Sequence, residues 1–239
     1  MAHGTNLDWT GMRIGDVISE GVGLPVVVEN DANAFGWAEA RFGAARGKRN
    51  ALIVAIGTGV GGAIIVDGHL LRGAAGFGGE IGHLNVVPGG RPCGCGLRGC
   101  LERYSAGTAL GINAWELAQF RPDYAARIIE LSGGNPEHIS GKVVTAAARE
   151  GDQAALECYE QLTHWLGVGL ADMCALLDPE VVVIAGGLAE AGDILLAPTR
   201  KAFAENLTAG THRPTIPVVL AEGGQEAGLV GAADLARQP

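Results

Sequence analysis

Hydrophobic residues follow two patterns along this chain, short unbroken runs and repeats at intervals of three and four. The runs are rich in Val, Ile and Leu and predict buried strands; they cover residues 24–29, 51–56, 63–66, 69–72, 181–185 and 217–220. The pair Asp67-Gly68, between two of the runs, is typical of a tight hairpin turn. The second, third and fourth runs are therefore expected to form an antiparallel meander.

The repeats at intervals of three and four predict amphipathic helices. They cover residues 32–42, 152–177, about 190–206 and 225–237. Asn30 and Asp31 precede the first of these helices and can cap its free amide groups. The longest helix is expected to end at Asp178, because Pro179 cannot continue it. Residues 73–102 are rich in Gly, Pro and Cys without a period, so we expect a long loop that is functional or held by something other than packing.

The order of these elements indicates a mixed α/β protein with an actin-like ATPase (ribonuclease H-like) fold. From residue 51 the chain runs through the meander, helical material, and then strand, helix, strand and helix, which matches the repeated unit of that fold. Two such domains close on a nucleotide. Since only one strand and its helix precede residue 51, we expect the N-terminal small domain to be incomplete. It would comprise residues 1–33 and 225–239, and residues 34–224 would form the large domain.

The composition is that of a globular protein, with 48% hydrophobic and 18% charged residues and 39 glycines that favour tight turns. The 17 basic and 26 acidic residues give a formal charge of −9, and Lys and Arg form no stripe that could meet a phosphate backbone. The N-terminus has no signal sequence, and no apolar run is long enough to cross a bilayer. We therefore expect a cytoplasmic protein that binds neither nucleic acid nor membranes.

Three of the five cysteines crowd together, and a histidine lies nearby. The set consists of His83, Cys93, Cys95 and Cys100. One imidazole and three thiols suit a tetrahedral zinc ion with no open coordination position, which is a structural site that would hold the long loop. The alternative is that the thiols are free or reactive, and the odd number of cysteines argues against a disulfide framework. Cys158 and Cys174 stand apart among apolar residues and are expected to be buried.

The glycine-rich segment 57–62, Gly-Thr-Gly-Val-Gly-Gly, is similar to a dinucleotide-binding fingerprint. That fingerprint requires a helix to follow, whereas residues 63–66 are a predicted strand, so a dinucleotide site of this kind is excluded. The backbone amides and the Thr58 hydroxyl can still bind phosphate oxygens, or the segment is an ordinary glycine hairpin. The pair Gly186-Gly187 has the same ambiguity, since it could admit an adenine ring or merely turn the chain.

Asp31 lies just past the first predicted strand. A carboxylate at such a strand end can accept the proton of a hydroxyl group that attacks phosphorus. Capping a helix requires no more than an Asp or Asn oxygen, so Asp31 and Asn30 have this simpler interpretation as well. Their residue types alone leave both interpretations open.

Taken together, these segments resemble the ROK family of sugar kinases and sugar-responsive repressors, and within it the bacterial glucokinases. The similarity runs from about Asn6 to Ala233. It is carried by residues 29–34, 57–62, 78–83, 93–102 and 186–187. The most specific part is Glu80-Ile81-Gly82-His83 together with the cysteine cluster, whereas the glycine motifs alone are not specific.

The resemblance implies an enzyme of glycolysis that phosphorylates the 6-hydroxyl of glucose with ATP and Mg²⁺, with Asp31 as the catalytic base. The residues implied to hydrogen-bond the other sugar hydroxyls are Asn30, Glu80, His83 and Glu102. Those implied to bind the nucleotide are Gly57, Thr58 and Gly59 at the phosphates and Gly186 and Gly187 at the adenosine. His83 would have two roles, with one ring nitrogen on zinc and the other toward the sugar. The family also implies a homodimer or homotetramer.

Two features leave alternatives open. Kinases of the family begin with an Asp-x-Gly-Gly-Thr hairpin that contributes to phosphate and magnesium binding, and no such segment precedes Asp31. A chain of this kind is expected to bind phosphate poorly and to expose the edge of its strand over 24–29. The scaffold also serves other sugars and donors. A kinase for an N-acetylhexosamine or fructose, polyphosphate as the donor, and a non-catalytic zinc-containing sugar-sensing domain are therefore alternatives.

Overall fold

The computed structural model describes residues 3–4, 7–224 and 226–237, and most of its strands form one mixed sheet. The strands of these residues are β1 (His3–Gly4), β2 (Leu7–Thr10), β3 (Ala51–Ile56), β4 (Val60–Val66), β5 (His69–Leu70), β6 (Val181–Ala185) and β7 (Val218–Leu220). The order in the large sheet is β5-β4-β3-β6-β7, and β1 and β2 form a separate antiparallel hairpin. The predicted α/β class is confirmed.

The central strand β3 has an antiparallel neighbour on one side and a parallel neighbour on the other. Ile56 of β3 lies opposite Val60 of β4, so residues 57–59 alone make the turn between them. β5 pairs antiparallel with β4, which confirms the predicted meander, although β5 is shorter than the predicted strand over 69–72. β6 lies parallel to β3, and β7 lies parallel to β6, as expected for strands that are separated by helices.

The described part of the chain also forms nine α-helices. They are α1 (Ile14–Val22), α2 (Asp31–Phe42), α3 (Glu102–Ser105), α4 (Gly107–Phe120), α5 (Ala126–Leu131), α6 (Gly141–Arg149), α7 (Gln153–Leu177), α8 (Asp193–Asn206) and α9 (Ala227–Leu235). The predicted helices correspond to α2, α7, α8 and α9. α8 starts at Asp193 rather than at about 190, because a 3₁₀ turn over Gly187–Ala191 comes first. Among these elements, none has both the length and the apolar character that crossing a bilayer demands.

Both ends of α7 are determined by residues outside it. At the start, Asp152 Oδ1 accepts a hydrogen bond from the amide of Ala155 at 2.8 Å, and a cap of this kind is worth about 1 kcal/mol. At the end, Asp178 adopts a left-handed backbone conformation with φ of 44°, and Pro179 follows it. The predicted limits of this helix are confirmed.

Helices cover both faces of the large sheet, because alternate residues of its strands point in opposite directions. On one face Leu52 and Val54 of β3 share a core with Leu166 of α7. On the other face Ile53 of β3 shares a core with Trp37 of α2. α8 packs on α7, and α9 packs on α2. Each buried side chain of this size contributes about 1.5–3 kcal/mol, so the sheet and its helices form a firm frame for the loops.

The segment that precedes α2 differs from its prediction. Residues 24–30 have no regular secondary structure, and Leu24, Val27 and Val28 are exposed. The prediction of a buried strand over 24–29 is therefore wrong. β-Branched residues favour extended backbone, but a strand also requires a hydrogen-bonded neighbour, and the described residues supply none. The proposed division of the chain at residues 33 and 225 stays a prediction.

Candidate functional site

The predicted metal ligands converge in the loop that follows β5. His83 ends a 3₁₀ turn over Ile81–His83, and the three cysteines follow it in the same loop. The ligand atoms of His83, Cys93, Cys95 and Cys100 all lie within 4.8 Å of one another. The Sγ atoms of Cys95 and Cys100 are 3.6 Å apart, and so are Cys93 Sγ and His83 Nδ1. Ligands of a tetrahedral zinc ion with bonds of about 2.3 Å lie about 3.8 Å apart, so these residues fit that ion.

Hydrogen bonds hold this loop to its surroundings. The amide of Cys93 donates to the carbonyl of Leu97 at 2.8 Å, which closes a turn between two of the cysteines. Arg91 anchors the loop to α4, donating to Asn113 Oδ1 at 2.8 Å and to Glu116 Oε2 at 2.7 Å. A long loop that is held by polar contacts rather than by a core agrees with the expectation for residues 73–102.

The three clustered thiols differ in their surroundings. Burial raises the pKa of Cys93 to about 12, and its Sγ donates a hydrogen bond to Glu102 Oε1, 3.0 Å away. Burial also raises the pKa of Cys100, whereas a hydrogen bond from the backbone of Leu97 lowers the pKa of the exposed Cys95. A buried thiol of high pKa stays protonated and is a poor nucleophile unless a bound cation displaces its proton. The donor set therefore suits a thiolate-binding metal better than a nucleophilic role.

The remaining cysteines lie inside α7, away from the cluster. Cys158 and Cys174 are buried, and burial raises the pKa of each thiol to about 12. All five cysteines are free thiols. The prediction that Cys158 and Cys174 are small buried apolar groups is confirmed.

Glu102 lies between the cysteine loop and the glycine hairpin. Its Oε1 accepts from Cys93 and lies 4.0 Å from His83 Nδ1. Its Oε2 faces the hairpin so closely that a Cβ atom added to Gly59 would lie 2.9 Å from it. A residue with a side chain at position 59 would displace this carboxylate. The glycine at this point of the motif therefore permits a close approach between the hairpin and Glu102.

The N-terminus of α2 approaches the hairpin from another direction. Asn30 Oδ1 accepts from the amide of Asn33 at 3.0 Å, and Asp31 Oδ1 accepts from the amide of Ala32 at 2.9 Å. The capping role of Asn30 is thus confirmed, and the Asp31 side chain is exposed at the helix start. Ala32 packs against Gly61, where an added Cβ would lie 3.1 Å from the Ala32 methyl group. Asp31 is therefore held beside the hairpin strand.

The two ring nitrogens of His83 face different groups. Nδ1 faces Cys93, and Nε2 lies 3.9 Å from Glu80 Oε2. Glu80 is exposed, and the 3₁₀ turn that links it to His83 packs on β4. This arrangement has the form that a dual role of His83 requires, with one nitrogen toward the cysteines and the other toward a carboxylate at the surface.

Three of the predicted nucleotide-binding residues lie on the wall of one cavity of about 1230 Å³. They are Gly57, Thr58 and Gly187. Their neighbours Gly59 and Gly186 are not among the residues that line it. The cavity is larger than typical small-molecule pockets, which measure about 300–1,000 Å³, so it has room for a mononucleotide. Asp31 and Glu80 lie outside this cavity.

Most of the cavity wall comes from segments in which the sequence shows no motif. The wall includes Arg103, Thr108, Ile112, Trp115, Ile139 and Lys142. These residues are brought together by the packing of α4 on α6 and by the turn between β3 and β4. Residues of these types are common on ordinary helices, so no local pattern in the sequence predicts that they line a cavity.

The comparisons with known proteins match all or most of this chain. The profile of the ROK family matches residues 1–239. The glucokinase of Streptomyces coelicolor strain A3(2) is 45% identical over 234 residues, which cover 98% of this chain and 74% of the relative. The xylose repressor of Bacillus subtilis strain 168 is 31% identical over 195 residues, which cover 82% of this chain and 46% of the repressor.

A solved structure is similar in both sequence and fold. The ROK family glucokinase from Streptomyces griseus, in complex with glucose and AMPPNP, is 44% identical with a TM-score of 0.92. The match covers 100% of this chain and 76% of that one. The chain therefore spans about three quarters of the length of the two glucokinases that it matches.

Proposed function

The chain belongs to the ROK family and is a sugar kinase of the glucokinase type; we propose that it transfers the γ-phosphoryl group of ATP to the 6-hydroxyl of glucose, with Asp31 as the general base. Its fold is the actin-like ATPase fold of that family. One observation carries the proposal. The glycine hairpin is approached by Glu102 at Gly59 and by the start of α2 at Gly61, so the groups for both substrates lie around one hairpin.

One carboxylate oxygen of Asp31 is available to accept a proton from the attacking hydroxyl group. Its Oδ1 accepts from Ala32, and its Oδ2 has no hydrogen-bond partner within the described ranges. In the reaction, Oδ2 takes the proton of the 6-hydroxyl while the hydroxyl oxygen forms a bond to the γ-phosphorus. The bond from that phosphorus to the bridging oxygen of ADP breaks, and ADP leaves with the electron pair. The products are glucose 6-phosphate and ADP, and Asp31 returns its proton to water.

The sugar would be held by polar groups around this carboxylate. Ionised carboxylates accept strongly from hydroxyl groups, so the exposed Glu80 and the half-buried Glu102 suit a polyol. Asn30 adjoins Asp31, and His83 Nε2 lies on the Glu80 side of the loop. These four residues on three elements, α2, the 3₁₀ turn and α3, would fix the orientation of the ring, so that its 6-hydroxyl points at Asp31.

The proposed enzyme would use two metal ions, one with the nucleotide and one in the cysteine loop. Mg²⁺ would enter with ATP and neutralise charge on its phosphates. His83, Cys93, Cys95 and Cys100 would hold zinc, which supplies a rigid tetrahedral cross-link of the loop and no reaction chemistry. His83 would thereby present a fixed imidazole nitrogen to the sugar. The nucleotide would lie in the cavity beside Thr58 and Gly187.

Glucose-dependent release of ADP in a coupled assay tests the reaction, and Asp31→Asn tests the base. We expect the substitution to lower kcat about 10²–10⁴-fold, as for loss of a general base, while the dissociation constant for glucose changes little. Asp172→Asn is the control, because Asp172 is exposed on α7 and is neither in the wall of the cavity nor in the cysteine cluster. Retention of wild-type turnover by Asp31→Asn would remove Asp31 as the base.

The same assay separates the alternatives. Fructose and N-acetylhexosamines as acceptors would reveal a different hexose kinase, and polyphosphate in place of ATP would reveal a different donor. Glucose binding by calorimetry without turnover would instead indicate a sugar-sensing domain. The homodimer or homotetramer that the family suggests stays a prediction, which sedimentation of the same samples would test.

A further inference from the structure

We propose that Arg103 binds the phosphate chain of a nucleoside triphosphate in the cavity beside Thr58, so that this arginine is an affinity determinant for the phosphoryl donor. The inference deepens the proposed function and rests on it for the identity of the site. Arg103 follows Glu102 in α3 and lines the same cavity as Gly57 and Thr58. The arginine is therefore close to the hairpin that would meet the phosphates.

The guanidinium group of Arg103 has unused hydrogen-bonding capacity. Its Nε is buried and has no hydrogen-bond partner in residues 3–4, 7–224 and 226–237. No ion pair forms between Arg103 and a carboxylate in those ranges either. A buried donor without a partner costs about 1–3 kcal/mol, and such groups in native proteins are normally satisfied by a ligand or by water. The two Nη groups likewise donate no hydrogen bond to the residues that the structure describes, so an anionic ligand in the cavity would supply acceptors to the guanidinium group.

The charges in the cavity wall are unbalanced around this group. Two carboxylates line the cavity, and Glu137 already accepts from the indole of Trp115 at 3.1 Å. Arg149 is also engaged, because it donates to the carbonyl of Glu190 at 2.8 Å. Lys142, like Arg103, forms no ion pair within the described residues. The wall thus carries three cationic side chains, those of Arg103, Lys142 and Arg149, against two carboxylates, and this excess of positive charge suits a polyanion.

The apolar part of the cavity wall indicates which kind of polyanion fits the cavity. Ile112, Trp115, Ile139 and Leu188 supply apolar surface, which an inorganic phosphate chain would leave uncovered. A ligand with a phosphate chain at one end and a flat, weakly polar base at the other covers both kinds of wall. A nucleoside triphosphate has this form. The cavity therefore favours ATP over polyphosphate, with Arg103 at the phosphate end.

The side chain of Arg103 is not needed to hold α3 in place. The carbonyl of Arg103 accepts from Arg91 Nη1 at 3.3 Å, and the neighbouring Tyr104 hydroxyl accepts from the Arg91 amide at 2.6 Å. These contacts involve the backbone of Arg103 and the side chain of Tyr104, and none involves the side chain of Arg103. Substitutions of Arg103 should therefore leave the helix and the cysteine loop intact, which makes a test by mutation meaningful.

The proposal is tested by calorimetric titration with AMPPNP and, separately, with adenosine. The titrations use the whole chain as wild type, Arg103→Gln, Arg103→Lys and Arg46→Gln. Loss of a charge-assisted hydrogen bond predicts about 10–100-fold weaker AMPPNP binding by Arg103→Gln. Adenosine binding should change less than about 2-fold. Arg103→Lys should recover part of the loss, because it keeps the charge without the planar fork. Arg46 is exposed in the loop after α2, and its substitution should have no effect.

Three results would overturn the inference. They are AMPPNP binding by a folded Arg103→Gln protein equal to wild type, an equal loss for adenosine and AMPPNP, and no AMPPNP binding by wild type at all. Circular dichroism and the midpoint of thermal unfolding establish folding. If AMPPNP binding depends on Arg103 but glucose is not phosphorylated, the inference stands and the proposed reaction fails. If glucose is phosphorylated and Arg103→Gln binds like wild type, the inference alone fails.

Discussion

The hydroxyl of Thr108 donates a hydrogen bond to the carbonyl oxygen of Thr58, 2.7 Å away. Beside it, the amide of Gly107 donates to the carbonyl of Gly57 at 2.8 Å. The peptides of the described chain are trans, so the amides that follow these carbonyls, those of Thr58 and Gly59, point away from α4. The start of α4 thus determines the direction in which the hairpin presents its donors.

Thr108→Val should therefore weaken the binding of the phosphoryl donor while keeping the shape of the side chain. Loss of one neutral hydrogen bond predicts an increase of about 3–10-fold in KM for ATP, with KM for glucose unchanged. Thr108→Ser retains the hydroxyl and should behave like wild type. Steady-state kinetics with each substrate varied in turn would measure both constants. If the Val and Ser variants have the same KM for ATP, the hydrogen bond does not position the hairpin.

Removal of the metal should loosen the loop that carries Glu80 and His83. Chelation, or Cys95→Ser, is expected to weaken glucose binding about 10-fold or more, because His83 would lose its fixed orientation, and loss of such support typically costs about 10–100-fold in metal affinity or activity. Zinc content by elemental analysis and glucose binding by calorimetry should fall together. Cys174→Ala is the matched control, since Cys174 is buried in α7. Unchanged glucose affinity after confirmed loss of the metal would contradict this coupling.

A buried carboxylate ties α2 to the segment before α9. Glu39 has no exposed surface, and it accepts from the amides of Ala44, Glu222 and Gly223 at 2.9, 3.2 and 2.7 Å. Glu39→Ala leaves these amides without an acceptor and should lower the free energy of unfolding by about 3 kcal/mol.

Urea denaturation of Glu39→Ala and of Glu205→Ala would measure that loss. Glu205 is exposed on α8, and its substitution should change the free energy of unfolding by less than about 0.5 kcal/mol. Equal stability of the two variants would show that the amides find other acceptors.

Glu29 should make stability depend on pH. Partial burial acts to raise its pKa, but hydrogen bonds from Asn33, Arg72 and Asn30 outweigh burial and hold the pKa below the ordinary value of 4.5. A carboxylate with a lowered pKa in the folded state stabilises it above the ordinary pKa, and this contribution is lost as the pH falls through the lower value. The difference in unfolding free energy between wild type and Glu29→Gln should therefore shrink below about pH 4.5. A difference that is constant from pH 6 to pH 3 would contradict this.

Features formed within one short stretch of chain could be predicted from the sequence. His83 and the clustered cysteines could be predicted as candidate metal ligands because ligand type and spacing lie in a single loop. The meander of β3, β4 and β5 follows from apolar runs joined by tight turns, and the limits of α7 follow from its periodicity and from Asp178-Pro179. In each case the determining contacts join residues that are near neighbours in the chain.

Tertiary structure alone decided the features that depend on distant partners. The run over 24–29 has the composition of a strand, but the described part of the chain gives it no neighbour to pair with, so Leu24, Val27 and Val28 are exposed. Arg103 and Lys142 share a cavity with Thr58 because α4 and α6 pack together behind the hairpin. Glu39 meets Gly223 across 184 positions of the chain. Local patterns record how a segment can fold, but they carry no information on which remote atoms will satisfy its charges and hydrogen bonds.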